Sequence, residues 1–355
     1  MESPKDVFLQ EDLERNAKVL AQFSALREAA VLITGGTGLV GSLLAKTLLC
    51  HNRLNQAKVE ILLLVRSEEK ARAVFGDLLD REEITLILGD VTKEIPLSKP
   101  VDYIFHCASV TASKMMVTQP VETIVTALDG TRNVLEYARK NGCKSVVYVS
   151  SMEMYGAIEN ADAPVTEDML GYIDPLAIRS NYPESKRMCE NMCVAYSQEY
   201  GLNVKIARLA QTFGAGILPG ENRVFAQFAR SAMEGKDIVL HTKGLSHGNY
   251  CYTADVVTGL VHILLLGQNG QAYNVVNEET HTTIGEMAQM VAKKLAVKPI
   301  QVVFDIPEGN AFGYAQDTKL RLSAQKLRAL GWEPKVGLEE AYRRMMGSMR
   351  QESVD

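Results

Sequence analysis

The stretch Thr34-Gly35-Gly36-Thr37-Gly38-Leu39-Val40-Gly41 follows directly on the apolar run Ala30–Ile33 and opens the helix-patterned segment Leu39–Leu49. Glycines at 35, 38 and 41 permit a tight turn, a close approach of backbone N–H groups to a pyrophosphate, and close packing of a helix on a strand. A lone Gly-x-x-Gly-x-x-Gly carries little weight. This one sits between a first strand and a first helix, which predicts a βαβ unit whose helix N-terminus receives the diphosphate of a dinucleotide.

The same pattern continues. Short apolar runs at Ile61–Val65, Ile84–Leu88, Tyr103–His106, Val146–Val149 and Val204–Ala207 alternate with amphipathic stretches. Runs so short and so rich in Val, Ile and Leu predict an α/β fold, a doubly wound parallel sheet covered on both faces. Beyond Arg208 the alternation gives way to Gly-rich and polar loops, with helices expected near Val224–Met233, Ile284–Leu295 and Leu338–Met346. Tyr250–Leu266 reads as a strand and helix returning to the main sheet. The expected organisation is an N-terminal helical extension over 1–28, a dinucleotide-binding unit over 29–212 joined by 250–268, and a smaller, interleaved lobe made of 213–249 and 269–350. In the extension, Val19, Leu20, Phe23 and Leu26 recur at helical spacing, so its expected role is packing.

Composition narrows the function classes. With 46% hydrophobic and 23% charged residues over 355 positions, the chain is an ordinary globular one large enough for a sizeable core. A formal net charge of −5 gives no electrostatic reason to bind nucleic acid or an anionic membrane. No apolar run approaches the roughly 20 residues of a membrane span, and Met1–Lys18 lacks a signal-peptide core, so the expected location is cytoplasmic. The six cysteines show no CxxC, so neither disulfides nor a metal site is expected; Cys189 and Cys193 share a helix face and read as buried thiols.

The strand Val59–Val65 ends at Arg66, where a protein built for NAD would be expected to hold a ribose-binding acid. Arg66, with Ser67, can instead meet the 2′-phosphate of NADP, which favours NADP over NAD; the alternative is a solvated loop arginine. Asp90, closing the third strand, is placed to bond the adenine amino group.

Ser150 and Ser151 end one strand, and Tyr182-Pro183-Glu184-Ser185-Lys186 begins a long helix. Positions four apart share a helix face, so Tyr182 and Lys186 can point into one cleft. A free phenol titrates at about 10, and a lysine ammonium with an oxidised nicotinamide would bring it towards working pH. Tyr182 can then exchange a proton with a carbinol or carbonyl, with Ser151 orienting the reacting oxygen.

These residues resemble the extended short-chain dehydrogenase/reductase family, the NAD-dependent epimerase/dehydratase group. The motifs TGGTGLVG, LGDV, HCAS at 106–109, SSMEMYG at 150–156, YPESK at 182–186, RLAQTFGAG at 208–216 and YCYTADVV at 250–257 fall in that family's order over nearly the whole chain. The resemblance implies a Rossmann fold with a C-terminal substrate-binding lobe, catalytic roles for Ser151, Tyr182 and Lys186, and a nucleoside-diphosphate sugar bound between the lobes. It implies cofactor contacts at Gly35, Thr37, Gly38, Leu39, Gly41, Asp90, Val91, Ala108, Tyr182 and Lys186, and a homodimer formed through the Tyr-Lys helix. The chain also departs from the pattern. Ala127 and Gln211 stand where the family often has Asn, and the arginine that often grips the substrate diphosphate falls at Gly248. His247, Arg223, Arg321 and Lys114 are the candidates to replace its charge, with Gln211 beside them.

Glu153 bears on the reaction. Sugar dehydratases and nucleotide-uronate decarboxylases of this family carry Thr-x-Glu at the place of Ser151-Met152-Glu153, and in the dehydratases that Glu removes the proton beside a new ketone. The other reading is a hydrogen bond that fixes the loop. The leading expectation is therefore an internal redox cycle on a nucleotide sugar, ending in epimerisation, dehydration or decarboxylation. The alternatives are a net NADPH-dependent reductase of a nucleotide-linked keto sugar and, from another class, a non-catalytic NAD(P)-sensing protein, to which an intact Ser-Tyr-Lys set is of no use.

Overall fold

The computed structural model describes residues 1–158, 163–307 and 319–352. The elements follow in chain order: α1 (Val7–Leu20), β1 (Ala30–Thr34), α2 (Leu39–Asn55), β2 (Glu60–Val65), α3 (Glu68–Phe75), β3 (Ile84–Leu88), β4 (Tyr103–His106), α4 (Ser113–Thr118), α5 (Pro120–Lys140), β5 (Ser145–Ser151) and α6 (Asn181–Tyr200). After them come β6 (Val204–Leu209), β7 (Gln211–Phe213), α7 (Val224–Glu234), β8 (Ile238–Leu240), β9 (His247–Tyr252), α8 (Thr253–Leu266), β10 (Ala272–Val275), β11 (Asn277–Thr283), α9 (Ile284–Lys294), β12 (Val302–Phe304), α10 (Gln325–Arg328) and α11 (Leu338–Glu352).

Seven strands form one sheet in the order β10-β6-β5-β4-β1-β2-β3, with every neighbouring pair parallel. Strand residues alternate between two cores because successive side chains point to opposite faces. Val31 and Ile33 join the core shared with α1, α2 and α8, while Leu32, Leu62 and Ile104 join the one under α5 and α6. Both faces are covered, which is why these strands read as unbroken apolar runs. The sheet order reverses between β1 and β4, and the crevice at their carboxyl ends is where an open parallel sheet receives a ligand.

The strand that completes this sheet is β10, not one within Tyr250–Leu266. There, β9 pairs instead with β7 and β11 in a separate three-stranded sheet, and only the helix α8 returns to pack behind β5 and β6. A two-stranded sheet, β8 with β12, lies further out.

The N-terminal segment is clamped. The Glu2 carboxylate, closed to solvent, lies 3.0 Å from the Arg53 guanidinium and 3.1 Å from that of Arg81; burial works to raise it, but the hydrogen bonds of Arg53 and Gln10 and the Arg53 charge bring it well below the usual carboxylate range, to about 2. The two ends of the chain also grip each other. Asp6 accepts from the Ser348 hydroxyl, the Val7 N–H donates to the Gln351 side chain at 2.8 Å, and Arg344 donates to the Phe8 carbonyl at 2.8 Å. None of the described helices is long and apolar enough to cross a membrane.

Candidate functional site

The glycine loop is a cradle that side chains would fill. Gly35 has φ +67°, and a Cβ there would lie 2.8 Å from the Ala108 backbone; a Cβ on Gly41 would lie 2.4 Å from the Gly35 carbonyl oxygen. Gly38 caps α2 without a side-chain hydrogen bond, so the first-turn N–H groups around Leu39 and Val40 face outward as donors for an anion. This backbone fits a dinucleotide pyrophosphate. Behind the loop, Thr34 Oγ1 accepts from the Ala108 N–H at 3.2 Å and lies 2.7 Å from His106 Nδ1, while His106 Nε2 reaches Thr131 Oγ1 at 3.2 Å. Burial, helped by the nearby Lys186 charge, pushes the His106 imidazolium down to about 3, so this ring is a neutral strut joining β1, β4 and α5. The HCAS motif marked its position, but nothing in the pattern assigned it that role.

Asp90 Oδ1 accepts from both the Thr92 N–H and the Thr92 hydroxyl at 2.9 Å, bonds that hold the carboxyl below its ordinary value. Val91 next to it is buried against Gly130 of α5. Arg66 is exposed at the end of β2, with no ion pair among the described residues, and Ser67 caps α3 by accepting from the Lys70 N–H at 3.1 Å.

Ser151 is the last residue of β5, opposite Leu209 of β6, and its Oγ accepts from the Glu153 N–H at 3.2 Å. Tyr182 and Lys186 stand on the first turns of α6 and are both buried. The phenol is pushed up to about 12, mainly by burial and then by the Glu153 charge; hydrogen bonding with Ser151 and the charges of Arg179 and Arg223 oppose the rise. Lys186 Nζ donates to the Val149 carbonyl at 2.8 Å, lies 5.7 Å from the centre of the Tyr182 ring, and is itself brought down to about 8 by burial. Among the protein groups, burial thus outweighs the charges that favour the phenolate.

Glu153 has a partner that the sequence reading missed. Arg179 Nη2 lies 3.0 Å from its Oε2, and the guanidinium stands 5.7 Å from the Tyr182 ring centre. Arg179 sits three residues ahead of Tyr182 in the single 3-10 turn Ile178–Ser180, too short to offer a periodic signal. Arg223 precedes α7, is paired with Glu221 at 2.6 Å, and acts on Tyr182 through its charge. Gln211 begins β7 beside Tyr250, two residues beyond the strand that flanks Ser151. The His247 ring, on β9, lies 5.4 Å from that of His281 of β11 and is tilted 30° to it; burial and the charges of His247 and Arg321 lower the His281 imidazolium. His247 and Arg321 thus share one basic corner. Lys114 is exposed on α4, and no hydrogen bond or ion pair joins its side chain to the others. Cys189 and Cys193 are fully buried free thiols, and among the described residues no group of three or more His, Cys, Asp or Glu side chains could hold a metal.

Comparison with known proteins follows this geometry. Residues 31–277 match the NAD dependent epimerase/dehydratase family. UDP-glucuronic acid decarboxylase 1 of Danio rerio is 32% identical over 313 residues, covering 87% of this chain and 70% of that protein. UDP-glucuronic acid decarboxylase 6 of Arabidopsis thaliana is 31% identical, covering 87% and 85%. An epimerase from Methanothermobacter thermautotrophicus superposes with a TM-score of 0.79 over 95% of this chain and 96% of its own, at 24% identity. With the glycine cradle, the parallel sheet and the Ser-Tyr-Lys group all in that family's order, the chain belongs to the NAD dependent epimerase/dehydratase family, as an enzyme of the extended short-chain dehydrogenase/reductase class.

Proposed function

We propose that the protein decarboxylates a nucleoside-diphosphate uronate through an internal redox cycle. The observation that carries this is the convergence of Ser151, Glu153, Arg179 and Arg223 on the buried phenol of Tyr182. The relatives add weight: the curated proteins named above are UDP-glucuronic acid decarboxylases, which supports the internal cycle and not the net reductase.

A nicotinamide dinucleotide held by the glycine loop, with Tyr182 and Lys186 beside its ring, would supply a hydride acceptor and, when oxidised, a positive charge. Ser151 and Tyr182 hold the carbinol oxygen of the sugar, and Tyr182 accepts its proton as the ring carbon is oxidised to a ketone. A carboxylate β to that ketone loses CO2: the bond between ring and carboxyl carbon breaks, and its electron pair enters an enolate whose oxygen Tyr182 and Ser151 stabilise. Glu153 is the carboxylate at hand to exchange a proton with the adjacent carbon. As the ketone is reduced again, Tyr182 gives its proton back to the oxygen and the pentose results, so the net change is uptake of one proton and release of CO2.

The cofactor and assembly readings belong to the same proposal. Exposed Arg66 with Ser67 supports preference for NADP(H) over NAD(H). Val121, Ile124 and Val125 of α5 and Met188 of α6 are exposed on neighbouring helices, which supports a homodimer closed over that face. Incubation of the oxidised holoenzyme with UDP-glucuronate, followed by mass spectrometry, should show a UDP-pentose lighter by one CO2 with no net change in cofactor absorbance. Unchanged UDP-glucuronate, or stoichiometric consumption of reduced cofactor, would refute the reading.

A further inference from the structure

Arg179 is held in the cleft with most of its hydrogen-bonding capacity unspent. Its one side-chain hydrogen bond among the described residues runs from Nη2 to Glu153 Oε2 at 3.0 Å, and both side chains remain 37% exposed. A guanidinium presents five N–H donors in a planar fork, and a carboxylate is the partner whose two oxygens match it. The Tyr182 ring fixes where the fork stands, since the guanidinium carbon is 5.7 Å from the ring centre. Arg223, the other arginine acting on Tyr182, already has a close carboxylate in Glu221, which lies 2.6 Å away and is less exposed than Glu153. Each arginine thus spends one side-chain bond on a carboxylate, but Arg179 stands over the Tyr182 ring, whereas Arg223 lies over the Phe225 ring at 4.8 Å.

We infer that Arg179 determines specificity by reading the acid group of the sugar, taking the substrate carboxylate on the donors that Glu153 leaves free. This rests on the uronate reading above. In a uronate the carboxyl carbon is bonded to the ring carbon next to the one Tyr182 serves, so a cation within one guanidinium of the phenol lies at the right distance. Glu153 has a matching part. It holds Arg179 in register before substrate arrives, and a neutral sugar brings no group able to compete for that fork.

The discriminating measurement is the ratio of affinities for charged and neutral ligands, which loss of a merely structural contact would leave unmoved. With NADPH bound, so that the sugar cannot be oxidised, titration calorimetry should give UDP-glucuronate an affinity for Arg179→Gln roughly ten- to a hundredfold below wild type, while UDP-xylose stays within about twofold. Arg179→Lys, which keeps the charge but not the fork, should fall between. Equal losses for both ligands, or no loss for either, overturn the assignment while wild-type conversion of UDP-glucuronate leaves the proposed function standing. A wild type that neither binds nor converts UDP-glucuronate overturns both.

Discussion

Arg208 of β6 grips Glu190 of α6 in a pocket closed to solvent, Nη2 to Oε2 at 2.7 Å and Nε to Oε1 at 3.1 Å, one helical turn beyond Lys186. The Ser150 hydroxyl donates to the same carboxylate, and Arg208 Nη1 reaches the Tyr155 hydroxyl at 3.0 Å. This pair locks α6 to β5 and β6 and so fixes the platform on which Ser151, Tyr182 and Lys186 meet. Breaking a buried pair leaves its other charge uncompensated. Glu190→Ala or Arg208→Ala should each cost about 3–5 kcal/mol in urea unfolding, and the double variant less than the sum of the two. Additive losses would show that the two side chains act independently.

Tyr182→Phe removes the proton relay but leaves the ring in place. Turnover should fall by about 10²–10⁴-fold while cofactor affinity changes little, checked by steady-state rates beside fluorescence titration of NADPH. A rate within tenfold of wild type would remove Tyr182 from the chemistry.

Lys186 sets function against stability. Burial lowers it from 10.5 to about 8, so below pH 8 the folded protein carries a charge that folding disfavours. Between about 8 and 10.5 the folded chain binds fewer protons than the unfolded one, so stability rises with pH there, and the penalty is gone above 10.5. Lys186→Met should therefore be inactive yet melt higher than wild type at pH 7, and the difference should shrink as the pH rises through this window. Calorimetry across pH checks both the sign and the window.

Arg66→Asp should reverse or abolish a preference for NADP(H), because it replaces a partner for the 2′-phosphate with a like charge. The change in the ratio of dissociation constants should be about ten- to a hundredfold. Equal binding of NAD and NADP by wild type would refute the premise.

Gly41→Ala places a methyl 2.4 Å from the Gly35 carbonyl oxygen, a backbone atom that yields only if the whole turn moves. Cofactor affinity should fall at least tenfold, with about 1–3 kcal/mol of stability lost. Gly76→Ala puts its methyl in open space, with no atom within 4 Å, but at φ +51°; it should weaken folding mildly and leave cofactor affinity unchanged.

Local features were legible from the chain alone. The glycine loop, the strands buried on both faces and the Tyr-Lys spacing each state their physics within a few residues. Features set by distant segments were not. β10 escaped notice because it is four residues long and holds Asn274, a fully buried polar residue whose amide donates to the Val165 and Ser323 carbonyls, 109 and 49 positions away. Tyr250–Tyr252 looked more like a sheet strand, and it is one, but in a different sheet. The Arg179–Glu153 pair spans 26 residues and depends on how the intervening loop returns.

The clasp between the two ends of the chain governs the order in which the molecule can be made. A ribosome releases α1 long before α11, and the contacts of Asp6, Val7 and Phe8 form only when Ser348, Gln351 and Arg344 are present to meet them. Until then its apolar stripe, Leu9, Leu13, Ala17 and Leu20, can cover α2 and α8 but lacks its final wall. Closure of the clasp thus waits for nearly all of this sequence to emerge, and a nascent chain stalled before residue 344 carries an open seam along its first helix.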